Sequence, residues 1–373
     1  MASQIVDKKI KFIKWLRVKL DLYKFVMDQG TVIEYVWLSF GVGLKSKTRI
    51  LNEEAKEVEE LPLMGCGNFA SKGERKLIDC AIKPKRLYSD PFRVGQHLAL
   101  SELYIDFEAT LPHVTNNRIE LEKLLKKLGC EDLWVGFEQE FIFFDPSTNS
   151  PLGFRGNAMM DKLDNIVYSC EVGSTNSFGR EIMEEFMVRC KQAGITLYGY
   201  CGERSPSQWE FQTQPFPVLK ACDDLIMARY LLGRCAEKKH VDVNYHPKVC
   251  RTLHSSGLHV NISSQEMRSE GGLKAIERAV NQILLHNDRD MQFFGEENEL
   301  RLTGTLLCAK AEDPSVGVGD RTSSIRIPKS VQAQGKGYFE DRRPASNADP
   351  YLVMVTLLKS MYSEFNNEKS DSK

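Results

Sequence analysis

The chain has 373 residues, with 50 Lys or Arg against 51 Asp or Glu for a net charge of −1, and 42% of it is hydrophobic. That is a globular composition, long enough for two domains with a sizeable core. It leaves no global field to attract nucleic acid or an anionic membrane, and no apolar run approaches the roughly 20 residues a membrane span requires.

Residues 7–27 are Lys-rich, with Ile10, Ile13, Leu16, Leu20 and Tyr23 spaced for one face of a helix. Asp7 and Asp21 argue for a surface helix rather than a mitochondrial presequence, so a cytoplasmic location is expected, with mitochondrial import as the alternative. Thr31–Ser39 reads as a strand, followed by a turn at Gly41 and Gly43 into a second strand near Leu44–Thr48. The acidic run Glu53–Glu60 reads as a solvated loop or helix face, and the Gly-rich stretch Met64–Gly73 as irregular. Ile78–Ile82 and Leu98–Phe107 complete a small β-rich region. The apolar spacing of Ile119, Leu121, Leu124, Leu125 and Leu128 predicts a helix over Asn117–Leu128, ended by Gly129. A domain boundary is placed near Pro112, giving domains 1–112 and 113–373.

Beyond it lies a greasy run, Leu133–Phe144, interrupted by two acids in Phe137-Glu138-Gln139-Glu140-Phe141. On a strand Glu138 and Glu140 share one face while Phe137 and Phe141 take the other. Two carboxylates held together beside aromatic residues repel each other and lose hydration, so cationic side chains or a divalent metal must compensate them. A loop over Asp145–Asn157, a helix over Gly179–Ala193 closed by Gly194, and a strand over Ile195–Tyr200 follow. Long helices are expected over Pro215–His240 and Leu273–Phe294, and a last one over Pro350–Phe365. Strand-like alternation marks Gln208–Gln212, Gly257–Ser263 and Ser323–Ile327. Helices interleaved with strands make the second region α/β or α+β. There is no internal repeat, no G-x-G-x-x-G and no Walker A sequence, which weakens dinucleotide and P-loop readings. Ten scattered Cys without a C-x-x-C pair read as reduced thiols.

Glu203 and Glu210 bracket a segment in which Pro206 forbids a continuous helix, so the first sits on a loop and the second on a strand. His259 lies in the alternating run Gly257–Asn261, and Glu340 in Tyr338–Arg343. Singly, a strand Glu is a solvated edge residue and a strand His is hydrogen-bonded within the structure. Together, five Glu and one His suit two or more Mg²⁺ or Mn²⁺ ions. Arg301, Arg321, Arg326, Arg342 and Arg343 form the other half, since guanidinium forks suit carboxylates and phosphates. For Arg343 ordinary surface salt bridging is the expectation. Metals with guanidiniums but no P-loop point to a nucleotide-using enzyme of another fold, or to a phosphatase.

The motifs Gly136–Phe141, Gln208–Gln212, Arg301-Leu302-Thr303-Gly304, Ser324–Pro328 and above all Gly337-Tyr338-Phe339-Glu340-Asp341-Arg342-Arg343-Pro344-Ala345-Ser346-Asn347 resemble glutamine synthetase of type II, the eukaryotic class. The resemblance covers most of the chain, and it implies an α+β fold: an N-terminal β-grasp domain and a larger catalytic α/β domain. It further implies one metal held by Glu140, Glu203 and Glu210 and a second by Glu138, His259 and Glu340. Arg301, Arg321, Arg326 and Arg342 would grip the substrate carboxylate and the transferred phosphoryl group, and Ser263 would contact the nucleotide. The implied reaction uses ATP to convert the side-chain carboxylate of glutamate into a γ-glutamyl phosphate, which an amine attacks. Mg²⁺ or Mn²⁺ would be the cofactor, and subunits would form a homo-oligomer of stacked rings with shared sites.

The departures fall in the ammonium half. Where the family carries an Asp-Gly-Ser-Ser latch, Leu63–Ser71 has no acid; Leu307 and Leu306 replace the flap Glu and its neighbouring His. Ser169 stands for a tyrosine of the ammonium pocket, and His254-Ser255 for the Asn-Gly pair that holds the α-amino group. Ammonium needs carboxylates both to bind it and to take its proton, and leucines do neither. Two readings follow: a γ-glutamyl ligase working on ammonium or on a bulkier, less polar amine, or a degenerate paralogue kept as an assembled subunit or binding protein. Retention of all six ligands favours the ligase, because an unused buried acid cluster is costly.

Overall fold

The computed structural model describes residues 14–15, 30–40, 43–73, 76–130, 132–154, 169–174, 176–249, 253–304 and 308–363. The helix expected over residues 7–27 lies almost wholly outside them. The first sheet contains β1 (Thr31–Leu38), β2 (Leu44–Leu51), β3 (Met64–Phe69), β4 (Leu77–Ser89) and β5 (His97–Tyr104), in the order β2-β1-β5-β4-β3. Only β1 and β5 run parallel. The stretch expected to be irregular forms β3: Met64 and Asn68 point inward on alternate positions, and long β4 supplies a full antiparallel partner. Its glycines hide that alternation in the sequence.

The second sheet has ten strands, β6 (Trp134–Asp145), β7 (Ser150–Pro151), β8 (Leu197–Gly202), β9 (Gln208–Thr213), β10 (Phe216–Pro217), β11 (Asp242–Asn244), β12 (Leu258–Ser263), β13 (Val316–Val318), β14 (Ile325–Ile327) and β15 (Phe339–Asp341). Its main path runs β13-β14-β15-β12-β6-β9-β8, with β7, β10 and β11 also pairing with β6. The principal helices are α1 (Asn117–Leu128), α2 (Arg180–Gln192), α3 (Val218–Glu237), α4 (Leu273–Leu285) and α5 (Pro350–Met361). Phe137, Phe141, Phe143 and Phe211 face a core shared with Ile182, Phe186, Leu225 and Met354, so the helices cover one face of the sheet and leave the other for chemistry. The result is an α+β protein in which a curled N-terminal sheet joins a larger α/β region.

The helix expected over Leu273–Phe294 breaks at His286. Its imidazole Nδ1 contacts the Gln282 carbonyl at 2.8 Å, and its amide bonds instead to Ile283 O at 3.3 Å, which ends the i−4 ladder. A turn of helix at Asn287–Asp290 and a 3₁₀ turn at Met291–Phe293 follow. Arg343 is a second correction. It is 1% exposed and fully engaged, with Nη2 2.6 Å from Asp341 Oδ2 and Nη1 3.0 Å from Asn287 Oδ1. It forms a buried ion pair, not a surface one.

The two sheets meet through a buried guanidinium. Arg118 of α1 donates to both oxygens of Asp223 on α3 at 2.9 and 3.0 Å, and to Glu102 on β5 at 3.0 Å. Tyr351 Oη donates to the same Asp223 at 2.7 Å. The nine cysteines among the described residues are all free thiols, and no helix there is long and apolar enough to cross a membrane.

Candidate active site

Strand register builds the site. Glu140 on β6 sits opposite Glu210 on β9, and Glu210 sits opposite Cys201 on β8, so a row of three side chains crosses three strands. One step along, His259 on β12 is opposite Glu138, which is opposite Gln212. A third row pairs Arg326 with Glu340 and Glu340 with Asn261. Glu203 follows the end of β8, held by the bond from its amide to Gln208 O at 2.8 Å. Residues scattered over 203 positions of sequence thus share one sheet face.

The contacts are close. His259 Nδ1 lies 3.5 Å from Glu138 Oε2 and 3.3 Å from Glu340 Oε1. Asn261 donates to Glu138 at 2.9 Å, Gln212 to Glu210 at 2.5 Å, and the Gly257 amide to Glu140 at 2.5 Å. Donor atoms of Glu138, Glu210 and His259 lie within 4.8 Å of one another, and so do those of Cys201, Glu203 and Glu210. Glu140 is fixed from below by a buried network: Gln139 Oε1 accepts from Arg229 Nε at 2.7 Å, while its amide donates to the Ser346 carbonyl at 3.1 Å.

Burial first, and then the charges of Glu138, Glu140 and Glu203, push the Glu210 carboxyl up to about 8. Burial followed by the Glu140 charge raises Glu203 to about 7. Burial also works against charge on Glu138 and Glu340, yet the hydrogen bond and charge of His259 outweigh it, and Glu340 is held down to about 2. His259 answers in kind: burial and Arg342 oppose its charge, but the bonds to Glu138 and Glu340 raise it to about 10. Two acids that resist ionisation beside a carboxylate pair that does not leave a charge imbalance that a bound cation would relieve. Hard oxygen donors with one imidazole fit Mg²⁺ or Mn²⁺.

Glu138, Glu140, Glu203, Glu210 and His259 line a cavity of about 460 Å³ together with Arg301, Arg321, Arg326 and Arg342. Arg342 Nη1 lies 2.8 Å from Glu340, which Arg326 also contacts. Arg301 is 5% exposed, donates to the Arg342 and Arg343 carbonyls at 2.7 and 3.2 Å, and keeps a buried Nε–H with no hydrogen-bond partner. Ser169, Cys170, His254, Ser255 and Cys308 also line the cavity. Leu306 and Leu307 lie outside the described residues.

A second cavity of about 550 Å³, more apolar, adjoins the first across Glu138 and Gln212 and is lined by Trp134, Tyr198, Pro215, Ser263 and Tyr338. Arg268 lies 4.8 Å over the Trp134 ring and donates to Ser263 O at 2.6 Å. The Ser263 hydroxyl donates to Gly337 O at 2.6 Å.

Five of the six expected ligands and the four expected arginines thus line one cavity, while Glu340 is fully buried behind His259; the close donor groups are Glu138, Glu210 and His259, and Cys201, Glu203 and Glu210, rather than the two expected triads. Sequence reasoning overlooked Cys201, Gln212 and Asn261. The alternation Trp209-Glu210-Phe211-Gln212 places Gln212 on the acid face; nothing local marks Cys201, which only the β8–β9 register brings beside Glu210.

Residues 116–273 match the family model described as glutamine synthetase, catalytic domain. The chain is 36% identical over 368 residues to a protein named glutamine synthetase from Eremothecium gossypii, covering 98% of this chain and 96% of that one. A namesake from Tuber borchii is 38% identical over 349 residues, covering 91% and 96%, and one from Saccharomyces cerevisiae 35% over 351 residues, covering 93% and 94%.

Proposed function

The chain belongs to the glutamine synthetase family, and we propose that its two adjoining cavities bind ATP and glutamate for γ-glutamyl transfer to ammonium or another amine. It is an ATP-dependent carboxylate–amine ligase, and the alternative of a catalytically degenerate paralogue is not favoured. One observation carries the reading: four Glu and one His side chain line the same cavity as four arginines. Divalent ions, Mg²⁺ or Mn²⁺, held by Glu138, Glu140, Glu203, Glu210, His259 and Glu340 would neutralise the charge on the phosphate oxygens.

The apolar cavity takes the nucleotide base between Trp134, Tyr198 and Tyr338, with Ser263 and Arg268 at its edge. From there the phosphates reach past Glu138 into the acidic cavity. Arg326 and Arg342 stabilise charge on the transferring phosphoryl group, and Arg321 reaches it from an exposed turn. Arg301, whose buried Nε–H has no hydrogen-bond partner, would bind the substrate carboxylate. Transfer to the side-chain carboxylate of glutamate leaves an acyl phosphate whose carbonyl an amine attacks, releasing phosphate. The amine enters beside Ser169, His254 and Ser255, which offer neutral or titratable polar groups rather than fixed carboxylates. Residues 1–112 and 113–373 act as two domains, the active protein being a homo-oligomer of stacked rings.

The test is phosphate release by the purified chain with Mg²⁺ or Mn²⁺, ATP and glutamate, with ammonium and a panel of alkyl and aromatic amines, against Glu140→Ala. Amine-stimulated release in the parent alone is expected. No release above the variant with any amine, together with no ATP binding, would overturn the proposal.

A further inference from the structure

Beyond the carboxylates and imidazole, one side chain of another chemistry stands among the ligands. Cys201 lies directly across the strand pair from Glu210, and its Sγ is 3.8 Å from Glu203 Oε1. Its sulfur and one oxygen from each of Glu203 and Glu210 fall within 4.8 Å of one another. Donors at the roughly 2.0–2.3 Å bond lengths of a small divalent ion are separated from each other by about 3–4.6 Å, and the 3.8 Å between Cys201 Sγ and Glu203 Oε1 lies in that range. Arg301, whose buried Nε–H has no hydrogen-bond partner, lines the same cavity. Two other thiols, Cys170 and Cys308, also line the cavity, but Cys308 contacts Ser255 at 3.1 Å, and neither falls within the three-donor group.

We propose that Cys201 is a sulfur ligand to the ion held by Glu203 and Glu210, giving this position a preference for thiophilic divalent ions, Zn²⁺ or Co²⁺, over Mg²⁺. The inference rests on the metal site of the proposed function and assigns one more ligand to it. Thiolate sulfur is a soft donor that binds Zn²⁺ and Co²⁺ far better than it binds Mg²⁺, so one sulfur in an oxygen set changes the order of metal preference. Binding expels the thiol proton, so one proton is released to solvent for each ion that the sulfur takes.

The full-length protein, stripped of metal with a chelator, is titrated with Co²⁺ while its near-ultraviolet spectrum is recorded. A sulfur-to-cobalt charge-transfer band is expected in the parent, Cys170→Ser and Cys308→Ser proteins and not in Cys201→Ser. Zn²⁺ affinity, read by competition with a chromogenic chelator, should fall about tenfold or more in Cys201→Ser. A second measurement uses the parent alone: Zn²⁺, unlike Mg²⁺, should protect Cys201 from alkylation, scored peptide by peptide by mass spectrometry. Absence of the band, its persistence in Cys201→Ser, its loss in Cys170→Ser, or equal protection by Mg²⁺ would overturn the assignment. Phosphate release with Mg²⁺ on the same preparation separates the two ideas. Release without the band removes only the sulfur ligand, and the band without release removes the ligase reading while leaving the sulfur in place.

Discussion

The raised carboxyls of Glu203 and Glu210 give the metal-free protein a pH dependence of definite sign. Their folded values are about 7 and about 8, against 4.5 for the ordinary side chain. Once pH passes about 4.5 the unfolded chain has released these protons while the native chain keeps them, so native stability falls as pH rises. Integrated at about 1.4 kcal/mol per unit, the pair costs on the order of 4 kcal/mol between about pH 5.5 and about pH 7.5. His259 acts in the same direction. Raised to about 10, it contributes stability that is full below its ordinary value of 6.5 and is lost as pH climbs toward 10. Over the same interval that removes about 1 kcal/mol more. In a chain this long the total corresponds to a fall in Tm of roughly 5–8 °C. A divalent cation bound there would compensate the acids, so melting curves of chelator-treated protein at the two pH values, with and without excess Mg²⁺, carry the test. Metal-free Tm should drop at the higher pH, Mg²⁺ should restore most there, and Glu210→Gln should flatten the metal-free profile. A metal-free Tm that rises over this interval, or Mg²⁺ rescue larger at the lower pH, would refute the reasoning.

Gln139→Leu should destabilise the fold by about 1.5–3 kcal/mol in chemical denaturation, because Arg229 would lose one of its acceptors while remaining fully buried. Arg118→Met should cost about 3–5 kcal/mol, measured the same way, since Asp223 and Glu102 would be left as uncompensated buried carboxylates between the two sheets. Gly257→Ala would put a methyl group 2.4 Å from Arg301 Nη2 and 3.1 Å from His259 Nε2. Arg301 is buried and tied to the Arg342 and Arg343 carbonyls, so it can move only by breaking those bonds; kcat/KM should fall by about 100-fold and Tm should fall with it. Arg268→Ala removes the cation over Trp134 and the bond to Ser263 O. It should raise KM for ATP about tenfold with kcat little changed, read in steady-state assays over a range of ATP.

Much of this protein was legible in its residues alone. The 3.6-residue spacing of Leu121, Leu124 and Leu128 with Gly129 behind it marked α1 to its ends, because a helix is a local structure whose period and cap lie within one stretch of chain. The alternation of Glu138 and Glu140 with buried Phe137 and Phe141 announced a strand carrying two acids on one face, for the same local reason. Local signals failed where a partner decided the outcome. β3 exists because β4 pairs with it, the long helix after Leu273 stops because the His286 ring takes a carbonyl of its own turn, and Arg343 is buried because Asp341 and Asn287 meet it. The residues of the candidate site could be named by motif, but their charge states could not. Glu203, Glu210 and His259 are shifted by neighbours that come from different strands, and a strand's neighbours are set by register across the sheet. Cys201 shows the same limit most plainly: in the chain it is one thiol among ten, and only pairing with Glu210 sets a sulfur beside two acids. Chemistry that depends on which atoms lie within about 4 Å of each other belongs to the tertiary structure, because sequence order carries no such distance.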